Sequence, residues 1–194
     1  MNDSYKTIQG TGEGYYTEKR SKFLAFAHHV ESAEEVKEIV DSYRKKYYDA
    51  RHCCYAYMLG ADRSAYRAND DGEPSSTAGK PILGQINSKE LTNILICVVR
   101  YYGGVNLGTG GLIVAYRTAA ADAIAHCEIV ERLVEEQVTF SFSYPMMNGV
   151  MRVVKDMDAR IVAQKFELSC EVVLSIRKSL AGELRARLKQ LNFG

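Results

Sequence analysis

A chain of 194 residues, 46% hydrophobic and 25% charged, has the composition of a soluble globular protein and the length of one large domain or two small ones. Twenty-five Lys and Arg against 24 Asp and Glu leave a net charge of +1, which excludes a general pull toward nucleic acid, membranes or acidic substrates but leaves room for a local basic groove. The five cysteines (Cys53, Cys54, Cys97, Cys127 and Cys170) include no C-x-x-C pair, so reduced thiols are expected rather than a disulfide scaffold or a zinc site. The N-terminus shows no apolar signal segment and no run reaches membrane-spanning length. The expectation is a cytoplasmic protein with no membrane partner.

Residues 14–30 read as two strands around a polar bend at Glu18-Lys19-Arg20. Ser32 with Glu35 makes a capping box, and Val36, Ile39, Val40, Tyr43 and Tyr47 recur behind it at helical spacing. A hairpin is expected from residues 54–59 and 65–68. Pro81 is tolerated in a first turn, which permits a short helix over residues 80–88. The run Ile94-Leu95-Ile96-Cys97-Val98-Val99 is continuous and β-favouring, as in a strand covered on both faces. An alanine-rich helix from about residue 112 to 126 follows, suited to close packing on a sheet.

The pattern restarts after about residue 130. A strand over 136–143, a helix opened by Pro145, strands over 160–166 and 170–176, and an amphipathic helix over 180–191 make a β-α-β-β-α series. That is a ferredoxin-like domain without its last strand, since only Asn192-Phe193-Gly194 remain. The predicted fold class is α+β in two domains, 1–130 and 131–194.

Two glycine-dense segments concentrate the chemistry. The second, Arg100-Tyr101-Tyr102-Gly103-Gly104-Val105-Asn106-Leu107-Gly108-Thr109-Gly110-Gly111, runs from a strand into a helix, where exposed N–H groups and the helix dipole favour an anion. Thr109-Gly110 stands where a Walker loop needs Lys-Ser/Thr, and the dinucleotide G-x-G-x-x-G pattern is absent. The alternative is that the glycines only permit a tight strand-to-helix turn. In the first segment, Asp70, Asp71 and Glu73 crowd three carboxylates into four residues around Gly72, with Lys80, Arg51 and His52 as offsetting groups. Such a cluster suits a divalent cation or a general base, yet Asp-Gly and Glu-Pro are also turn formers. No metal ligand set, cofactor or catalytic residue is assigned.

Taken together, Arg51-His52, Asp70-Asp71-Gly72-Glu73-Pro74-Ser75, Thr77-Ala78-Gly79-Lys80-Pro81-Ile82-Leu83, Arg100-Tyr101-Tyr102-Gly103-Gly104, Leu107-Gly108-Thr109-Gly110-Gly111-Leu112 and Ala115-Tyr116 resemble the IMPACT/YigZ family over most of the first 130 residues. The resemblance implies a first domain similar to domain IV of elongation factor G and a ferredoxin-like second domain similar to its domain V. It also implies a nucleic-acid- or ribosome-associated role. Two positions depart from the family pattern. Ser76 stands where glycine is usual, and Val114 where many bacterial members carry arginine, for which Arg117 could partly substitute on the same helical face.

Three readings follow. The leading one is a non-enzymatic RNA- or ribosome-binding protein acting in translation or its regulation, through Arg51, His52, Asp70, Asp71, Gly72, Glu73, Lys80, Arg100, Tyr101, Gly103, Gly104, Gly108, Thr109, Gly110, Gly111 and Arg117. Arg177, Lys178, Arg185, Arg187 and Lys189 would add contacts from the second domain, or form a solvated face. The second reading is an enzyme acting on a phosphorylated small molecule. The third is a protein-interaction module with a regulatory protein as partner.

Overall fold

The computed structural model describes residues 3–193. Contacts divide the chain into two compact units: Tyr5–Arg132, and the chain from Leu133 onward together with Asp3 and Ser4.

The first unit is organised by β6 (Ile94–Tyr101), buried from Ile94 through Arg100 because it is the middle strand of five. The sheet order is β2-β3-β6-β4-β5, from β2 (Thr11–Glu18), β3 (Ser21–His29), β4 (His52–Leu59) and β5 (Ala65–Asn69), with every neighbouring pair antiparallel. Alternation along β6 sends Ile94, Ile96 and Val98 into a core with α2 (Gly79–Ser88) and α3 (Gly108–Ala125). Leu95, Cys97 and Val99 go to the opposite face, which α1 (Ala33–Lys46) covers with Val36, Val40, Tyr43 and Tyr47. Both faces are therefore roofed, as the unbroken apolar run requires.

Local chemistry explains the boundaries. Lys19 and Arg20, both at positive φ (46° and 67°), form the two-residue turn between β2 and β3 that matches strand twist. Ser32 caps α1 by accepting from the Glu35 N–H at 3.2 Å. The reciprocal bond lands one residue early: Glu35 accepts from the Glu31 N–H at 3.0 Å, rather than from Ser32. The alanines of α3 lie against the edge strand β2, whose Gly12 and Gly14 leave room for helix backbone. A Cβ on Gly14 would sit 2.3 Å from the Ala123 nitrogen.

Two strands escaped the sequence reading. β1 (Ser4–Gln9) pairs with β7 (Glu128–Leu133) in a separate two-stranded sheet. SYKTIQ and EIVERL are short and mostly polar, so neither gives a clear apolar alternation.

In the second unit, β8 (Glu135–Ser143), β9 (Arg160–Phe166) and β10 (Ser169–Arg177) form an antiparallel sheet in the order β8-β10-β9. Helices α4 (Met147–Asp156) and α5 (Ala181–Gln190) pack Val150, Val153, Val154, Leu184 and Leu188 against Val138, Phe142, Val172 and Leu174. This is the ferredoxin-like order with its fourth strand absent among the described residues. Pro145 opens a 3₁₀ turn over Tyr144–Met146 that leads into α4. Among the described residues, no helix is long and apolar enough to cross a membrane.

The contact between Gly14 and α3 predicts a clear asymmetry between two glycines. Gly14→Ala should cost about 3 kcal/mol through overpacking against backbone. Gly182→Ala, which faces open space in α5, should instead stabilise by up to about 1 kcal/mol. Urea unfolding of the two variants checks the opposite signs.

Candidate functional site

Because His52 and Arg100 are direct cross-strand partners on β4 and β6, the start of one strand and the end of the other present their side chains side by side. Both open onto a cavity of about 450 Å³ lined by Arg51, His52, Glu73, Pro74, Arg100, Tyr102, Asn106, Leu107, Gly108, Thr109 and Leu112. The two glycine-dense segments thus face one another across a single space.

Glu73 is the keystone of its wall. Its side chain is 3% exposed and its carboxylate accepts from Arg100 Nη1 at 2.7 and 2.8 Å, while His52 Nε2 lies 2.8 Å from Oε1. His52 Nδ1 lies 2.7 Å from the Asp71 carbonyl oxygen. Both ring nitrogens therefore face acceptors. Behind this group Tyr116 is fully buried, edge-on to Phe23 at 5.1 Å, and accepts from the Cys54 thiol at 3.4 Å. Burial pushes the Tyr116 phenol far above its usual range, with Cys54 and Glu73 adding to the effect, so it stays protonated.

The other two carboxylates of the first segment turn elsewhere. Asp70 accepts from the Ser76, Ala78 and Gly79 N–H groups at 2.9, 3.2 and 2.8 Å, capping the start of α2. Asp71 accepts from the Cys53 N–H at 2.7 Å and from Arg44 at 3.4 Å. The three acids do not converge. No cluster of three or more His, Cys, Asp or Glu able to hold a metal occurs among the described residues. The loop itself runs through Asp71, Gly72 and Ser76 at φ +41°, +86° and +65°. Ser76 thus occupies a left-handed conformation in which glycine is the unstrained choice.

The second segment is shaped by contact and by turning. A Cβ on Gly103 would lie 2.2 Å from the Arg20 carbonyl carbon, and its N–H donates to Ser21 Oγ at 3.1 Å. Gly104 and Gly108, at φ +88° and +71°, swing the chain into α3. Among the described residues no side chain caps α3, so its first-turn N–H groups are left without side-chain acceptors at the cavity edge. Arg51 and Arg100 both lie over the Tyr102 ring, at 5.2 and 5.6 Å from its centroid.

Of the residues singled out from the sequence, Arg51, His52, Glu73, Arg100, Gly108 and Thr109 line the cavity. Asp70, Asp71, Gly72, Gly103 and Gly104 build the loops around it. Tyr101 belongs to the other face: its hydroxyl donates to Asp49 at 2.9 Å and its ring meets Tyr47 edge-on. Tyr102 takes the place in the cavity expected of Tyr101. Lys80 and Arg117 are exposed and are not among the lining residues. Gly110, Gly111 and Val114 line a separate groove with Tyr16, Glu18, Lys19 and Leu107. The departure at Val114 therefore leaves the main cavity intact, and Arg117 substitutes for nothing there. Pro74, Tyr102, Asn106, Leu107 and Leu112 also line the cavity, although the sequence assigns none of them to the site. Strand alternation from Arg100 signals only that Tyr101 faces away, and the positions of the others depend on the loop path.

The match to known proteins follows these residues. Residues 19–124 match the family described as the Impact N-terminal domain, and the chain belongs to the IMPACT family. It is 32% identical over 178 residues to IMPACT family member YigZ of Escherichia coli (strain K12), covering 91% of this chain and 87% of that one. It is 34% identical over 150 residues to IMPACT family member YvyE of Bacillus subtilis (strain 168), covering 77% and 69%. A crystal structure of a protein described as hypothetical aligns with all of this chain and 95% of its own, at 29% identity and a TM-score of 0.74.

Two substitutions test the loop. Asp70→Ala removes three charge-assisted bonds and should cost about 3 kcal/mol. Ser76→Gly relieves the left-handed strain and should gain about 1 kcal/mol. Thermal and urea unfolding measure both.

Proposed function

We propose that this chain is a non-enzymatic RNA- or ribosome-binding protein acting in translation or its regulation, and that it makes contact through the cavity between the two glycine-dense segments. The observation that carries this reading is the exposed Arg51, held against the Tyr102 ring at the cavity mouth beside the uncapped start of α3. An exposed arginine, a helix start and a ring are what a phosphate backbone and its flanking bases require. Arg100 and Arg51 together occupy the ring, which favours sequence-independent contact with phosphate over base stacking on Tyr102. Membership of the IMPACT family supports the translational setting.

The second unit contributes less than its count of basic residues suggests. Arg177 pairs with Asp3 at 3.1 Å, Arg185 with Glu136 at 2.9 Å and Arg187 with Asp156 at 3.6 Å. Lys178 and Lys189 are exposed on that unit.

The test is salt dependence. Binding of labelled single-stranded RNA, followed by fluorescence anisotropy and by co-sedimentation with ribosomes, should weaken steadily as salt rises. Arg51→Ala should weaken it further and lower the salt slope by about 1. Arg51 is the right probe because Arg100→Ala leaves Glu73 buried beside His52 alone and should cost about 3–5 kcal/mol of stability. Binding that ignores salt, or none at low salt, overturns the proposal.

A further inference from the structure

The geometry points to a specific ligand chemistry for this cavity: it is a binding site for a phosphate monoester, carried by a free nucleotide-sized molecule or by the end of an RNA strand. The inference rests on the phosphate-contact reading above and narrows it.

Donors converge on the cavity from three sides. The uncapped first turn of α3, with Gly108 and Thr109 in the lining, offers N–H groups and the positive end of an 18-residue helix. Arg51 supplies an exposed guanidinium at the mouth. Arg100 forms the inner wall. It is 5% exposed, and its Nε is a buried donor without a hydrogen-bond partner among the described residues. A buried N–H left in that state is unfavourable, and an acceptor entering from the cavity would relieve it. Asn106 adds a fourth group. Its Oδ1 accepts from the Tyr102 hydroxyl at 3.2 Å, which leaves its amide nitrogen to donate.

Charge favours an anion. Glu73 offsets one of the two guanidinium charges, so one net positive charge and the helix end face one space. A monoester presents three free oxygens to donors arriving from separate directions, whereas a diester presents two. The volume of about 450 Å³ lies in the range of small-molecule sites and exceeds the needs of a bare phosphate, so the remainder accommodates the sugar to which the phosphate is attached.

The experiment uses the full chain, labelled with ¹⁵N, and five probes: inorganic phosphate, adenosine monophosphate, adenosine, and one short RNA bearing either a 5′-phosphate or a 5′-hydroxyl. The expected result is movement of the amide signals of Gly108, Thr109 and Gly110 with inorganic phosphate and the monophosphate, with affinity falling about tenfold in Arg51→Ala. Adenosine should move none of them. Tighter binding of the 5′-phosphorylated RNA than of its hydroxyl twin assigns the site to strand ends. Binding of the monophosphate without either RNA assigns it to a free ligand, and in that case the RNA reading fails while this one stands. Equal binding of both RNAs, with the amides of residues 108–110 unmoved by phosphate and monophosphate, overturns the inference and leaves RNA binding intact. An Arg51→Lys variant keeps the charge without the planar fork and should restore part of the affinity, which a general loss of structure would not allow.

Discussion

A buried carboxylate holds this site together. Glu73 sits beneath the surface with Arg100 and His52 as its partners, and each of the three comes from a different part of the chain. Glu73 arrives on the loop before α2, Arg100 at the end of β6 and His52 at the start of β4. An ion in this setting is stabilising only while all its hydrogen bonds are made, so the loop is anchored in one position. The cavity owes its shape to that anchoring, since the first segment would otherwise be a solvent-exposed run of turns.

The neighbouring acids show how similar residues in a short stretch divide their duties. Asp70 organises the backbone ahead of α2, Asp71 ties the same loop to β4 and α1, and Glu73 alone meets the cavity. Spacing along the chain suggests a shared site. Positive φ at Asp71 and Gly72 rotates successive side chains apart and removes that option. Two members of the cluster therefore organise the loop, and the third lines the cavity.

The sequence disclosed the architecture more fully than the site. The apolar run of β6, the Ser32 cap and the alanines of α3 are each local signals whose meaning barely depends on distant residues. The β-α-β-β-α series of the second unit was legible for the same reason. β1 and β7 lay beyond such reasoning because they stabilise each other across more than a hundred residues and carry little apolar alternation. Within the site, Arg100 and Glu73 were visible as residue types but their pairing was not. The exchange of Tyr101 for Tyr102 shows the limit clearly: alternation continues to the last residue of the strand, and the next residue follows the loop instead.

The close approach of Gly103 to the turn between β2 and β3 carries a consequence for how such chains can diverge. The backbone of Arg20 and Ser21 occupies the space where a side chain at position 103 would begin, and Ser21 also receives the Gly103 N–H. The hairpin end and the cavity rim are thus a single mechanical part, although more than 80 positions separate them. Insertions that lengthen this hairpin would be transmitted to the rim, so the two places should vary in concert or remain unchanged together. Hairpin length and glycine at the rim are thereby bound into one mechanical constraint rather than two.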